Sequence, residues 1–113
     1  MRQTTLFDGK GEAKGAGAES LLLYALGEFQ ARGLLLAGRD LPFDRLRGAF
    51  RRAAEAFGVE ELGDEAVAAS LAALGAQVRR VPTFFAKHPF RVVVPAPLAE
   101  KARGFFLEMK KTD

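Results

Sequence analysis

The sequence contains no cysteine, asparagine, isoleucine or tryptophan, and it has only two serines among its 113 residues. The absence of cysteine excludes disulfides, thiolate zinc sites, iron–sulfur clusters and cysteine nucleophiles together. No apolar run approaches the roughly 20 residues that a membrane-spanning helix needs. The segment Met1–Lys10 also lacks the apolar region of a signal peptide, so we expect a cytoplasmic protein. The lack of asparagine and cysteine, with 11 arginines against 6 lysines, is typical of a thermophile protein.

The residues that are present have an ordinary balance for one folded domain. Hydrophobic residues make up 49% of the chain and charged residues 27%, with 20 alanines and 15 leucines. This apolar fraction argues against wholesale disorder, and the length suffices for one compact domain but not for two. The formal net charge is +3. The basic residues concentrate in two clusters, residues 45–52 and residues 79–91.

The first 17 residues differ in composition from the rest of the chain. Four glycines, Gly9, Gly11, Gly15 and Gly17, stand among charged residues and alanines. Such a segment loses much entropy when it is ordered and buries little apolar surface. We therefore predict a disordered, flexible N-terminal arm over residues 1–17 and a folded domain over residues 18–113.

Hydrophobic spacing predicts an α+β domain with the element order α-β-α-α-β-β-α. The predicted elements are a helix from Ala18 to Gly33, a short strand at Leu34–Leu36, a helix from Pro42 to Gly58, a helix from Asp64 to Gly75, hairpin strands at Val78–Val81 and Arg91–Val94, and a last helix from Pro97. Eight apolar residues fall on single faces of these elements. The expected core residues are Leu46, Phe50, Phe57, Val67, Leu71, Leu74, Val92 and Val94.

This order of elements resembles the winged-helix family of DNA-binding domains, in which a β-hairpin wing follows a helix-turn-helix. Ala54–Val59 resembles the end of the first helix of such a unit, and Gly63–Gly75 resembles the second helix, which leads into the wing. The resemblance covers about residues 20–96 and implies a winged-helix-like domain that binds DNA. The chain departs from the family in its longer turn, Val59–Gly63. Its second helix also lacks Arg, Lys, Asn and Gln, the side chains that usually contact base edges in the major groove.

We therefore expect DNA contacts from the basic residues beside that helix, mainly to phosphates and with weak sequence preference. The expected phosphate-binding residues are Arg45, Arg47, Arg51 and Arg52 in the preceding helix, and Arg79, Arg80, Lys87, His88 and Arg91 in the hairpin. Phe84 and Phe85 in the hairpin loop are candidates for base stacking. Burial of these two rings in the core is the alternative.

The most specific motif in the chain is the segment Gln3–Phe7. Its Gln3, Leu6 and Phe7 resemble the Q-x-x-L-F motif by which bacterial replication and repair proteins bind the sliding clamp. The resemblance implies that Leu6 and Phe7 fill an apolar pocket of the clamp while the Gln3 amide forms hydrogen bonds nearby. The alternative is an N-terminal arm whose Leu6 and Phe7 pack on the domain itself.

The sequence contains no signature of catalysis. The motifs G-x-x-x-x-G-K-[ST], H-E-x-x-H and G-x-S-x-G are all absent, and neither serine has a histidine near it. Four acids, Glu60, Glu61, Asp64 and Glu65, lie where a helix begins and negative charge is favourable, so we expect no metal site there. We predict a protein without enzyme activity, cofactor or metal, whose partners are DNA and a replication sliding clamp. A transcriptional regulator and an interaction module that does not bind DNA are the alternatives.

Overall fold

The computed structural model describes residues 6–81 and 90–112, with side chains described between residues 17 and 111 of these ranges. The elements are, in chain order, α1 (Leu6–Ala31), β1 (Asp40–Pro42), α2 (Phe43–Phe57), α3 (Asp64–Leu74), β2 (Gln77–Arg80), β3 (Phe90–Val93) and α4 (Ala96–Thr112). The three strands form one antiparallel sheet in the order β1-β3-β2. The predicted α+β class and the predicted order of elements are confirmed.

Helix α1 begins earlier than the sequence pattern predicts. The predicted start at Ala18 is wrong, because helical backbone runs from Leu6 through Gly17, where the composition predicts a disordered arm. Extending a helix is easier than nucleating one, and the alanines between these glycines have the highest helix propensity. The division of the chain into an arm of residues 1–17 and a domain of residues 18–113 stays a prediction.

Strand β1 also lies outside its predicted position. The prediction at Leu34–Leu36 is wrong, because this segment is irregular and only Leu36 of the three leucines is buried. The strand forms at Asp40–Pro42, where an exposed Asp40 precedes a buried Leu41. Alternation of this kind gives the strand one face toward the core and one toward solvent, which a continuous apolar run does not offer.

Strands β2 and β3 form the predicted hairpin. Their register pairs Val78 with Val92 and Arg79 with Arg91, so the valine pair and the arginine pair lie on opposite faces of the sheet. Val92 is buried in the core and Arg79 is exposed. Phe90, which the sequence places at the end of the hairpin loop, is the buried first residue of β3.

The core forms where the helices meet the inner face of the sheet. Six of the eight predicted core residues are buried, namely Leu46, Phe50, Val67, Leu71, Val92 and Val94. Phe57 and Leu74, the last residues of α2 and α3, are half-buried and pack against the core. The next residues, Gly58 and Gly75, have left-handed φ angles of 69° and 109°. Glycine ends both helices there, as predicted, because other residues are strained in this conformation.

Helices α1 and α4 pack with their backbones in close approach. A Cβ atom added at Gly27 would lie 2.3 Å from the Cβ of Phe106 and 2.4 Å from the carbonyl oxygen of Ala102. One turn later, Gln30 Nε2 donates a hydrogen bond to the carbonyl oxygen of Ala99 at 2.9 Å. These contacts fix α4 against α1. Over the described ranges, no helix is both long and apolar enough to cross a membrane.

Candidate nucleic-acid interface

The solvent-facing side of the sheet carries one carboxylate that binds two arginines. Arg79 of β2 and Arg91 of β3 lie directly opposite each other, and both donate hydrogen bonds to Asp40 of β1. Arg79 Nη2 lies 2.5 Å from Oδ2 of Asp40, and Arg91 Nε lies 3.1 Å from Oδ1. Because like charges opposite each other on a sheet repel, Asp40 holds the two arginines together. We call Asp40, Arg79 and Arg91 the sheet triad; it keeps one net positive charge.

The arginines of the sheet triad keep its carboxylate ionised. The hydrogen bond from Arg79, supported by that from Arg91 and by both positive charges, holds the pKa of Asp40 below its usual range. An ionised Asp40 offers the arginines the same kind of charge-assisted hydrogen bond that a phosphate offers. Exposed ion pairs contribute little to stability. A phosphate can therefore take the place of Asp40 at small cost to the fold.

Arg80 lies at the edge of the hairpin and contacts both α3 and β3. Its Nη2 donates to Oε2 of Glu65 at 2.5 Å, and its guanidinium carbon lies 4.6 Å from the centre of the Phe90 ring. The side chain of Glu65 is 78% exposed and that of Arg80 is 55% exposed. This ion pair is open to water, so it leaves Arg80 accessible to an external anion.

Arg47 of α2 is bound within the protein rather than presented to solvent. Its Nη2 lies 2.6 Å from Oε2 of Glu61, and its Nη1 lies 3.0 Å from Oδ1 of Asp64. Nη2 also donates to the carbonyl oxygen of Leu62 at 3.1 Å, and the guanidinium stands 5.6 Å from the Phe50 ring centre. These contacts fasten the α2–α3 turn. Arg47 therefore has a structural role, and the phosphate contact expected from the sequence would require these bonds to break.

Arg52 of α2 is likewise engaged, with Glu28 of α1. Its Nε donates to Oε2 of Glu28 at 2.7 Å and its Nη2 to Oε1 at 3.0 Å, a two-point pairing between the helices. Burial alone raises the pKa of Glu28, but the hydrogen bonds and charges of Arg52 and Arg32 outweigh it and hold this pKa below its usual value. The hydrogen bond to Glu28 raises the pKa of Arg52 in turn. This pair joins α1 to α2. The DNA contact predicted for Arg52 would therefore require Arg52 to break its hydrogen bonds to Glu28.

The other two predicted basic residues of α2 are more accessible. Arg51 is 63% exposed, and its Nε lies 4.0 Å from Oε1 of Glu61. Arg45 is exposed and forms no ion pair within the described part of the chain. Both side chains are open to an external anion: Arg51 would leave only its 4.0 Å contact with Glu61, and Arg45 would break no ion pair within the described residues.

Several predicted site residues lie outside the described residues. Gln3 of the motif and the hairpin residues Phe84, Phe85, Lys87 and His88 belong to this group. Leu6 and Phe7 are at the start of α1, where only the backbone is described. Clamp binding, base stacking and the loop phosphate contacts stay predictions.

The acidic residues around α3 form ion pairs with arginines of α2 and β2. Glu61 and Asp64 bind Arg47, and Glu65 binds Arg80. Within residues 6–81 and 90–112, no group of three or more acidic or histidine side chains is placed to hold a metal ion. These carboxylates set the positions of neighbouring arginines across the α2–α3 turn and the hairpin.

A cleft that the sequence does not predict lies beside α4. It has a volume of about 400 Å³ and is bounded by the end of α1, the irregular segment 33–39 and α4. Leu34, Leu35, Arg39 and Arg103 are among its lining residues. The signal in the sequence is the leucine run between Gly33 and Gly38, whose pattern predicts a strand rather than a cleft wall.

No protein-family model matches the sequence, and neither curated proteins nor solved structures give a match to the chain.

Proposed function

We propose that this chain is a non-catalytic DNA-binding protein of winged-helix type. It contacts phosphates through the β2–β3 hairpin, and its N-terminal peptide recruits it to a replication sliding clamp. The observation that carries the proposal is the pairing of Arg79 with Arg91 on the exposed face of the hairpin, with Arg80 at its edge. The element order, with a hairpin following two consecutive helices, supports the winged-helix assignment.

Phosphate binding at the hairpin proceeds by exchange of anions. Arg79 and Arg80 are more than half exposed, and their partners Asp40 and Glu65 are exposed carboxylates. Exchanging an exposed carboxylate for a phosphate keeps a charge-assisted hydrogen bond on each arginine. Binding also releases counterions from the DNA, which drives association at low salt.

The composition of α3 favours binding without sequence selection. Its outward-facing residues include Glu65, Ala69, Ala72 and Ala73, which provide no bidentate donors for base edges. The hairpin arginines contact phosphates, which carry no direct sequence information. We therefore expect similar affinities for unrelated duplexes.

Replacing Arg79 and Arg80 together by alanine tests the hairpin. Two positive charges are lost at the interface, so binding to unrelated duplexes should weaken by the same factor. The slope of log affinity against log salt should become shallower by about one to two units. Fluorescence anisotropy with two labelled duplexes over a range of salt concentrations measures both quantities.

The matched control for this experiment removes two cations from α4. Lys101 and Lys110 are exposed and form no ion pair within the described residues, and α4 packs against α1 rather than on the hairpin. Replacing both by alanine should leave the salt slope closer to that of the wild type. Equal losses in the two double variants would assign the binding to net charge alone and contradict the hairpin interface.

Recruitment is tested by replacing Leu6 and Phe7 together by alanine. If these residues serve the clamp alone, the melting temperature should stay almost unchanged while binding to a bacterial sliding clamp is lost. If they pack on the domain, the loss of stability should reach about 1.5–3 kcal/mol for each fully buried side chain. Thermal unfolding and surface plasmon resonance on the same variant distinguish the two cases.

The control variant for recruitment changes Thr4 and Thr5, the intervening positions of the motif, to alanine. It should bind the clamp as the wild type does. A large stability loss in the Leu6/Phe7 variant, or undiminished clamp binding, contradicts recruitment by this peptide.

The second candidate is an interaction module that does not bind DNA. The observation that favours it is that seven of the ten described arginines, including Arg47, Arg79 and Arg91, already have acidic partners within the chain. If the wild type binds no duplex at low salt, this candidate replaces the DNA-binding proposal.

A further inference from the structure

Two arginines that form no ion pair with the described residues line the cleft beside α4. Within the described part of the chain, only Arg39, Arg45 and Arg103 lack an acidic partner among the arginines, and two of these three, Arg39 and Arg103, face the same cleft. Most described arginines are paired with a carboxylate, whereas these two have no such partner among the described residues and lie in the same cleft. They supply positive charge and a set of hydrogen-bond donors suited to carboxylates.

Exposed leucines surround the same two arginines. Leu35 is 70% exposed and Leu34 is 37% exposed, and both line the cleft. Leu107, which is 51% exposed, lies four residues after Arg103 and therefore on the same side of α4. Of the four large hydrophobic residues exposed in the described ranges, two thus line the cleft and a third follows Arg103 by one turn of α4. Apolar exposure concentrated in one place is typical of an interaction site.

The backbone of the cleft is also available for hydrogen bonding. The amide and carbonyl groups of Leu34 and Leu35 make no backbone hydrogen bond within the described residues. The amide N–H groups of Gly33, Gly38 and Arg39, by contrast, each donate to a backbone carbonyl oxygen. Gln30 directs its Nε2 group to carbonyl oxygens of α1 and α4. Its Oε1 atom accepts no hydrogen bond within the described residues and can accept one from a molecule in the cleft, which Gln30 lines.

We propose that this cleft binds a short acidic peptide of a partner protein, anchored by an aliphatic side chain. The carboxylates would bind Arg39 and Arg103, the aliphatic side chain would pack on Leu34 and Leu35, and the peptide backbone would bond the free groups of this segment. A nucleic-acid phosphate has no aliphatic group that could pack on the leucines. A fatty acid has no backbone that could form hydrogen bonds with the free amide and carbonyl groups. Only a peptide uses all three features. This site is independent of the hairpin and of the clamp motif.

The probe for this site is a short fluorescein-labelled peptide of the sequence Ser-Asp-Leu-Glu-Glu-Leu-Asp-Ser. We expect saturable binding to the full-length protein in an anisotropy titration. Arg39→Gln and Arg103→Gln should each weaken binding about tenfold, since one charge-assisted hydrogen bond is lost in each variant. Leu35→Ser should weaken it as well. Arg45→Gln is the matched control, because Arg45 is exposed and likewise has no ion pair within the described residues but does not line the cleft. This variant should bind the peptide as the wild type does.

Two altered peptides separate charge from apolar packing. A version with lysine in place of the acidic residues, and one with serine in place of the leucines, should both fail to bind. The proposal is overturned if either altered peptide binds as tightly as the original probe. It is also overturned if the original probe shows no saturable binding, or if the Arg39→Gln and Arg103→Gln variants both keep the wild-type affinity. Sedimentation of the protein alone tests for a second copy in the cleft: a dimer that Leu35→Ser abolishes would also overturn it.

Discussion

Gly27 sets the distance between α1 and α4. Any side chain at this position meets the Cβ of Phe106 and the carbonyl oxygen of Ala102, neither of which can move without shifting the α4 backbone. The absence of one side chain therefore allows two helices to approach closely. The need for glycine here comes from packing rather than from a positive φ angle.

Substituting Gly27 by alanine should destabilise the protein. Overpacking costs about 1–3 kcal/mol, which exceeds the roughly 1 kcal/mol by which alanine favours a helix over glycine. Chemical denaturation measures the free energy of unfolding. Gly104→Ala on the facing helix is the control: an added Cβ there meets nothing within 4 Å, so stability should rise by about 0.5–1 kcal/mol. A neutral or stabilising Gly27→Ala would contradict the close approach.

Glu28 is the residue that links helix packing to pH. Its carboxylate receives both arms of Arg52 and one bond from Arg32, and the pKa of Glu28 is held below its usual value as a result. A carboxyl whose pKa is lower in the folded state stabilises the fold fully above its unfolded pKa. That contribution is lost as the pH falls through the folded pKa.

Glu28→Gln should lower the free energy of unfolding at neutral pH by about 1–2 kcal/mol, because the charged hydrogen bonds to Arg52 are weakened. The difference from the wild type should shrink as the pH falls from the usual glutamate pKa of about 4.3 through the lower pKa of folded Glu28, because the unfolded chain takes up the proton first and the folded carboxylate follows. Urea denaturation at a series of pH values measures this. Glu100→Gln, at an exposed position without an ion pair within the described residues, should show no such trend. A constant gap across this pH range would contradict the role given to the Glu28–Arg52 pair.

Among the elements, α2, α3, α4 and the hairpin could be predicted from the sequence. Each has its own signal: an apolar stripe at helical spacing, a glycine at Gly58 or Gly75 that ends the helix, or a run of β-branched residues near the hairpin. The burial of Phe50 and Leu71 follows from the same spacing. In these segments, local pattern and tertiary packing agree.

The limits of β1 and α1 could not be predicted, because they depend on distant parts of the chain. Strand β1 forms where Leu41 meets Val92 of β3, 51 positions later in the sequence. A run of three leucines has a stronger local signal but no strand to pair with. The helical backbone of Leu6–Gly17 continues a helix whose packing partners lie in other elements.

The sequence indicates which basic residues belong to the candidate interface, but it does not show which of them are bound to carboxylates within the protein. Arg45 and Arg47 are two residues apart on α2, yet Arg47 binds Glu61 and Asp64 whereas Arg45 has no ion pair within the described residues. Side chains two positions apart lie on different sides of a helix. Glu61 and Asp64 lie in and after the α2–α3 turn, and hydrophobic spacing does not predict how this turn is oriented. The sequence gives no signal for the role of Asp40, because its partners Arg79 and Arg91 are 39 and 51 residues away.

At the scale of the whole molecule, the arrangement of charge matters more than its sum. The formal net charge of +3 is small, and most described arginines are paired within the chain. If the hairpin binds DNA as we propose, its affinity therefore depends on how readily phosphate displaces these carboxylates. In the sheet triad, a phosphate would compete with a single carboxylate, that of Asp40, for two arginines.

The measurement that tests the phosphate-binding account most directly is the affinity of Asp40→Asn for duplex DNA over a range of salt concentrations. Removing this carboxylate raises the net charge by one and releases Arg79 and Arg91 from their shared anion. We predict binding several-fold tighter than wild type at low salt, with a salt slope steeper by about one unit. Glu108→Gln on α4 changes the net charge equally and should have a smaller effect. Unchanged or weaker binding by Asp40→Asn, or no binding by either protein at low salt, would contradict the account.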